Sequence, residues 1–259
     1  MCGIVGYIGK RQATDLLVED LSKLEYRGYD SAGVAIIEDE RISVRKLKGR
    51  LANLENDLKA NQINGHIGIG HIRWVTHGEP SDVNSHPHSN WNATISVIHN
   101  GIIENYMKLR EWLTSKGYEF LSETDTEVIP NLVDYYYKDG RSLFDAVVKA
   151  TSKLEGGFAI GVIVNNEPDK IILLEDKEFV ILTKDSVELR TEDGEKIEKE
   201  IYHVTWNVDA AEKGGYEDFM LKEIHEQPKA VRDTLASSIS IRRNCWYPCS
   251  FKRWSKARS

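Results

Sequence analysis

The chain begins Met1-Cys2-Gly3, and the cysteine at position 2 is the residue whose type and place first suggest chemistry. If Met1 is removed, Cys2 carries both a thiol and a free α-amine. A cysteine reacts as its thiolate, so it needs a base to form it. An α-amine titrates near about 8, so it can take the thiol proton and return it to a leaving amine. Cys2 is therefore a candidate nucleophile, although alone it also fits a small buried apolar residue.

Further polar groups stand at the ends of predicted strands and helices, where loops usually assemble functional sites. They are Arg73-Trp74-Val75-Thr76-His77 after a strand over 67–71, Asn100-Gly101 after a strand over 94–99, and Asp125 at the start of a helix over 125–137. Each also has a structural interpretation, because Asn-Gly is a common turn pair and Asp a common helix N-cap.

The elements that must position these residues alternate between short β-branched runs and amphipathic stretches. Strands are predicted over 4–8, 33–37, 42–47, 67–71, 94–99, 158–164, 170–174 and 179–182. Helices are predicted over 14–26, 104–115, 125–137 and 142–154. Several strands are apolar on both faces, which indicates that both sides of a sheet are covered. The order of strands, helices and strands favours stacked layers.

Composition excludes several classes of protein. The 259 residues are 41% hydrophobic, which suits a packed core and argues against disorder throughout. No apolar run approaches the roughly 20 residues of a membrane span, so a cytoplasmic protein without a membrane partner is expected. Three cysteines give no disulfide framework. A net charge of -7 argues against nucleic-acid binding by the whole chain.

Six segments carry a resemblance to a known family: CGIVG at 2–6, LEYRGYDSAG at 24–33, HIRWVTHG at 71–78, NSHPH at 84–88, HNGIIEN at 99–105 and SETDTE at 122–127. In this order they resemble the glutamine-hydrolysing domain of the glutamine-fructose-6-phosphate aminotransferase family, which are class II glutamine amidotransferases of the N-terminal nucleophile type. The resemblance implies an α+β fold, a four-layer α/β/β/α sandwich. It continues weakly to residues 221–235.

The resemblance also implies roles for the candidate residues. Cys2 would attack the side-chain amide of L-glutamine, form a γ-glutamyl thioester and release ammonia, with Asn100 and Gly101 as the oxyanion hole. Arg73 would hold the α-carboxylate of glutamine and Asp125 its α-ammonium group. Trp74, Thr76 and His77 would belong to a mobile loop that closes over the substrate. The role of Arg27 stays open.

The resemblance implies no cofactor and no metal. Six of the eight histidines fall between His66 and His99, and His77, His86 and His88 alone would suggest a metal site. The family motifs account for these histidines without one. Fructose 6-phosphate would be a partner only through an isomerase domain, and the family is homo-oligomeric.

Two departures from the family pattern are visible. Nothing in the chain corresponds to the isomerase half, so we expect free ammonia as product and no amino sugar. After Lys170-Ile171-Ile172 the chain passes directly to Leu173-Leu174, where the family has further strands. We therefore predict an internal gap near residue 172 that leaves strands unpaired and the domain weak.

Residues 236–259 differ from the rest of the chain, since they hold six Lys or Arg and no acidic residue. We predict an amidotransferase domain over 2–235, incomplete after about residue 172, and a basic tail over 236–259 that is disordered or out of frame. A basic nucleic-acid arm is the other interpretation of this tail. For the whole chain, the alternative to glutamine hydrolysis is a non-catalytic remnant or a glutamine-binding regulatory module.

Overall fold

The computed structural model describes residues 2–25, 28, 30–74, 78–175, 177–199, 215–216, 219–242 and 245–248. Contacts divide the chain into two units, residues 1–200 and 201–259. The first unit contains strands β1 (Gly3–Ile8), β2 (Ser31–Glu38), β3 (Arg41–Lys48), β4 (Ile67–Arg73), β5 (His88–Ser89), β6 (Ile95–Gly101), β7 (Phe158–Val164), β8 (Lys170–Glu175), β9 (Glu178–Thr183), β10 (Val187–Arg190) and β11 (Lys196–Ile197). Its helices are α1 (Ala13–Leu24), α2 (Leu51–Ala60), α3 (Tyr106–Ser115), α4 (Val128–Lys138) and α5 (Leu143–Thr151).

Two antiparallel sheets form the centre of this unit. The first has the strand order β1-β4-β2-β3, and the second has the order β11-β10-β9-β8-β7-β6-β5. Strand β2 is buried along almost its whole length, because successive side chains point to opposite faces. Val34 and Ile36 pack with Leu17 and Leu21 of α1. The first sheet is thus covered by α1 and α2.

The opposite face of the first sheet packs against the second sheet. Ala35 and Ile69 from the first sheet share a buried cluster with Ile98, Ile163 and Ile171 from the second. The outer face of the second sheet carries a larger apolar cluster, in which the helices α3, α4 and α5 pack on β6, β7 and β8. The layers are therefore helix, sheet, sheet and helix, which confirms the predicted α/β/β/α sandwich.

The second sheet is continuous across the predicted gap. Strand β8 pairs with β7 through Gly161 and Leu173, and with β9 from Lys170 to Glu175. Lys177 adopts a positive φ of 67° in the turn that joins β8 to β9. The expectation of unpaired strands near residue 172 is wrong for β8, since both of its edges are paired.

The second unit contains helix α6 (Phe219–Ser238) and the strand pair β12 (Ile239–Arg242) and β13 (Cys245–Pro248). Helix α6 crosses the predicted domain boundary at residue 235, and the paired strands lie within the predicted tail. The boundary and the origin of the tail stay predictions. Within the described residues, no helix has both the length and the apolarity needed to cross a bilayer.

We expect Gly33→Ala to destabilise the domain, because a Cβ on this β2 residue would overlap the carbonyl oxygen of His86 and the Cβ of Lys46. Overpacking of this kind typically costs about 1–3 kcal/mol in the free energy of unfolding. Gly157→Ala is the matched control, since no atom lies within 4 Å of the added Cβ. Equal denaturant midpoints for the two variants would contradict the prediction.

Candidate active site

The pairing of β1 with β4 brings Cys2 to the end of β4. Gly3 lies opposite Ile72, so the residue before Gly3 lies beside Arg73 and Trp74. The backbone N–H of Trp74 donates to Sγ of Cys2 at 3.2 Å, and the thiol donates to the carbonyl oxygen of Trp74 at 3.5 Å. Two backbone groups of one residue therefore fix the position of the sulfur.

A glycine allows the chain to approach this turn closely. A Cβ on Gly28 would lie 3.0 Å from the carbonyl oxygen of Arg73 and 3.1 Å from the backbone nitrogen of Trp74. The neighbouring N–H of Asp30 donates to the same carbonyl at 3.2 Å. The segment around Gly28 thus supports the two residues that follow β4 and contact the cysteine.

Asn100 and Gly101 lie at the end of β6, on the other side of Cys2. Nδ2 of Asn100 donates to the carbonyl oxygen of Cys2 at 3.3 Å. Gly101 has φ of +129°, and a Cβ at this position would overlap the carbonyl oxygen of Gly157. The Asn-Gly pair is therefore a backbone requirement of this strand end as well as a source of hydrogen-bond donors.

Arg73 and Asp125 place opposite charges in the same region, with only 3% and 4% of their surface exposed. Burial lowers the pKa of Arg73, while the negative charges of Cys2 and Asp125 act to raise it. Oδ2 of Asp125 accepts the backbone N–H of Ile103 at 2.8 Å. A buried cation and a buried anion with a space between them suit a ligand that carries both charges.

These residues surround one cavity of about 410 Å³. Its lining residues are Cys2, Arg73, Trp74, His86, His99, Asn100, Gly101, Ile102, Asp125 and Thr126. Of the residues predicted for the site, Cys2, Arg73, Trp74, Asn100, Gly101 and Asp125 are brought together here. The predicted Thr76 and His77 lie outside the described residues, and so does Arg27.

A second cavity of about 510 Å³ also reaches Cys2 and Asn100. Its other walls come from β1, α1, β7, β8 and β9, and include Leu24, Leu173 and Glu175. Cys2 and Asn100 are thus shared by two spaces. The sequence did not predict the second one.

Four buried histidines lie behind the cavity wall: His71, His86, His88 and His99. Burial lowers the pKa of His71 to about 3 and that of His99 to about 4. Burial also lowers the pKa values of His86 and His88 well below 6.5. These side chains are therefore neutral at physiological pH. Among the described residues, no group of three His, Cys, Asp or Glu side chains is arranged to hold a metal ion.

The sequence did not assign His86, His99 and Thr126 to the site, yet all three line the 410 Å³ cavity. Thr126 directly follows Asp125, and His99 directly precedes Asn100. His86 comes from the loop before β5, and its Nε2 lies 3.1 Å from Oγ1 of Thr126. Adjacency to predicted site residues was an available signal for two of them, whereas the place of His86 depends on loop packing.

Comparison with known proteins agrees with the cavity chemistry. The sequence profile of a family described as a glutamine amidotransferase domain matches residues 75–182. The glutamine-fructose-6-phosphate aminotransferase (isomerizing) of Clostridium perfringens is 61% identical over 92% of this chain and 44% of its own length. The enzyme of the same name from Thermotoga maritima is 43% identical, over 92% of this chain and 45% of its own length. The chain therefore spans less than half the length of these relatives.

The alignment lengths also bear on the internal gap. The alignment with the Clostridium perfringens relative runs over 273 positions, whereas the whole chain has 259 residues. The relative therefore contains residues in the aligned region that have no counterpart here. The place of the gap, near residue 172, stays a prediction.

A solved structure gives the fold. The glutamine phosphoribosylpyrophosphate amidotransferase from Bacillus subtilis superimposes with a TM-score of 0.63 and 20% sequence identity. The superposition covers 74% of this chain and 49% of that chain. At this identity the likeness concerns the fold alone, and it agrees with the predicted sandwich of the N-terminal nucleophile type.

We expect the domain to lose stability as the pH falls from about 6.5 towards 4. Unfolded histidine titrates near 6.5, whereas burial holds the folded pKa values of this cluster lower, so the unfolded chain binds more protons in this range. His71 alone, with a pKa of about 3, should cost about 2 kcal/mol at pH 5. Denaturant unfolding at pH 7.5, 6.0 and 5.0 measures the loss.

The variant His88→Gln should reduce this pH dependence, because the glutamine amide does not titrate. His66→Gln is the matched control, since the His66 side chain is exposed. The cluster would be ruled out as the cause if the His88 and His66 variants lost stability with the same slope as the unmodified protein.

Proposed function

Because this chain carries a glutamine amidotransferase domain similar to that of the glutamine-fructose-6-phosphate aminotransferases, we propose that it hydrolyses the side-chain amide of glutamine with Cys2 as nucleophile. The observation that carries the proposal is the single 410 Å³ cavity, which contains a cysteine, a neighbouring amide donor and a buried pair of opposite charges. Each of these groups has a separate task in the reaction.

Cys2 attacks the side-chain amide carbon and forms a γ-glutamyl thioester, and ammonia leaves. With Met1 removed, the α-amine of Cys2 accepts the thiol proton and gives it to the leaving nitrogen. Water then cleaves the thioester, which yields glutamate and restores the thiol. The contacts between Sγ and the backbone of Trp74 support a fixed starting position for the attack.

Asn100 and Gly101 stabilise the negative charge that develops on the amide oxygen. The Nδ2 group of Asn100 lies beside the backbone of Cys2, and the Gly101 backbone N–H is the second proposed donor. Such donors act strongly in a site that excludes water, since they are already oriented when charge develops. Removal of one donor typically costs about 3–4 kcal/mol of transition-state stabilisation.

Arg73 and Asp125 select a free amino acid. The planar guanidinium of Arg73 binds the α-carboxylate through two charge-assisted hydrogen bonds, and the carboxylate of Asp125 binds the α-ammonium group. Trp74 is 47% exposed at the mouth of the cavity. Its exposure supports the proposal that Trp74, Thr76 and His77 form a segment that closes over bound glutamine.

The acceptor of the ammonia is a further proposal. The relatives are named for fructose 6-phosphate, so we infer that the released ammonia serves a sugar phosphate that is bound by a region outside the described site. A cytoplasmic, homo-oligomeric protein is consistent with this proposal. The alternative is a domain that binds glutamine without hydrolysing it, and ammonia release from purified protein separates the two.

We expect purified protein to release ammonia from L-glutamine, and a γ-glutamyl electrophile to label Cys2 and not Cys245 or Cys249. Cys2→Ala should abolish hydrolysis, and Cys2→Ser should leave little, because a hydroxyl is far less acidic than a thiol. Intact-mass analysis should show loss of Met1. Labelling at Cys245 or Cys249 in place of Cys2 would contradict the assignment of the nucleophile.

We expect N-acetylglutamine to be a poor substrate, because Asp125 would be left without its cationic partner. The loss in kcat/KM should correspond to about 2–5 kcal/mol. Arg73→Lys should also impair hydrolysis, since an ammonium cannot reproduce the two parallel hydrogen bonds of a guanidinium. Arg45→Lys, on the exposed surface, is the matched control. Similar turnover of glutamine and N-acetylglutamine would exclude this binding mode.

A further inference from the structure

We propose that His71 is a positioning residue that fixes which end of the Asn100 side-chain amide faces Cys2. The inference rests on the proposed function, since it concerns the donor that would stabilise the oxyanion. A primary amide has an oxygen end and an NH₂ end of similar size, and only the NH₂ end can donate to negative charge. The orientation of this amide therefore decides whether residue 100 stabilises or repels the oxyanion.

The place of His71 follows from the alternation of side chains along β4. Ile72 packs in the cluster between the first sheet and its helices, whereas Ile69 packs between the two sheets. His71 has the parity of Ile69, so its ring points towards the second sheet. It is fully buried and reaches the end of β6, where Asn100 lies. The contact between His71 and Asn100 thus joins the two sheets.

The proton on His71 is located by a neighbour that can only accept. Nε2 of His71 lies 3.0 Å from the backbone carbonyl oxygen of His99. Since a carbonyl oxygen cannot donate, Nε2 must carry the hydrogen. The same nitrogen lies 3.0 Å from the side chain of Asn100, so the atom facing it must be the oxygen Oδ1. The NH₂ group is then directed away from His71.

The other end of the amide leads to the same orientation independently. Nδ2 of Asn100 lies 3.3 Å from the carbonyl oxygen of Cys2, which is also only an acceptor. Both contacts would become repulsive if the amide were turned by 180°. The two carbonyl groups, one on each side, therefore agree on an NH₂ group that faces Cys2.

The tautomer of His71 is supported by a chain of hydrogen bonds with one direction. Nε2–H of His71 faces Nδ1 of His86 at 3.2 Å, so His86 accepts there and carries its own proton on Nε2. That group donates to Oγ1 of Thr126 at 3.1 Å. The Thr126 hydroxyl can then donate to Nδ1 of His99 at 2.7 Å. Reversing one member would place two hydrogens, or two lone pairs, against each other.

Burial keeps this chain neutral. It lowers the pKa of His71 to about 3, and the pKa of His86 lies well below its ordinary value for the same reason. A neutral imidazole has one N–H, so its tautomer is a defined property. The orientation of Asn100 is therefore maintained at physiological pH.

Without the donor at position 71, the Asn100 amide can turn and present Oδ1 to the developing oxyanion. Loss of one oxyanion donor typically lowers kcat by about 10²–10³-fold. Arg73 and Asp125, which hold the ends of glutamine in the proposed function, keep their places. We therefore expect a change in kcat with little change in KM.

The glutaminase test uses the full chain with His71→Leu, which removes the donor, and His71→Gln, whose amide nitrogen stands near the place of Nε2. His71→Leu should lower kcat by about 10²–10³-fold with KM within about threefold, whereas His71→Gln should restore kcat to within about tenfold of the unmodified protein. Folded His71→Leu with unchanged kcat would overturn the proposal. If that variant does not fold, the shorter His71→Asn should show the same loss, and full activity of folded His71→Asn would overturn the proposal equally.

A double variant tests whether the two residues act through one donor. His71→Leu/Asn100→Ala should be no slower than Asn100→Ala alone, because both changes remove the same interaction. Losses that multiply would show that His71 acts by another route. Alkylation of Cys2 by iodoacetamide should proceed at similar rates in all folded variants.

A second measurement does not depend on activity. Nitrogen-15 NMR of histidine-labelled protein should show His71 protonated on Nε2 and unprotonated on Nδ1 at pH 7. A proton on Nδ1 of His71 would overturn the inference whatever the glutaminase rate. Failure of the unmodified chain to release ammonia would count against the proposed function alone, and the NMR result then decides the inference.

Discussion

The antiparallel pairing of β1 with β4 holds a residue at the start of the chain in a fixed place. Residues near a terminus are usually mobile unless they are tied down. Here Gly3 pairs with Ile72, and β4 itself lies between β1 and β2. Cys2 therefore inherits the rigidity of an interior strand. Arg73 lies at the end of the same strand, so the nucleophile and the carboxylate partner of glutamine share one rigid support.

The second constraint is the contact between the two sheets. The inner faces meet through apolar residues over most of their area, but at one end the packing changes to the buried polar side chains of His71, His86 and Asn100. Buried polar groups are costly unless they are hydrogen-bonded, and a satisfied network specifies one arrangement. The apolar part thus stabilises the sandwich, while the polar end sets the orientation of the groups that face Cys2.

Much of the site could be predicted from the sequence because its residues lie at strand and helix ends, next to recognisable turn residues. Cys2, Asn100 and Asp125 belong to short motifs whose spacing along the chain survives in the fold. The hydrogen bonds among His71, His86 and Thr126 could not be predicted, since they join three separate segments and depend on the distance between the sheets. The continuous pairing of β8 was missed for a related reason, because a sequence gap does not reveal how the flanking strands pair.

The two cavities beside Cys2 respond differently to a change in chain length after β7. Every residue that lines the 410 Å³ cavity lies between 2 and 126, in β1, β4, β6 and the segments attached to them. The 510 Å³ cavity, in contrast, takes part of its wall from β8 and β9, including Leu173 and Val180. A loss of residues near position 172 therefore alters the second space and leaves the arrangement around glutamine intact. The charges that would select glutamine and the donors that would stabilise the oxyanion are thus separated, by the fold itself, from the part of the sheet whose length varies.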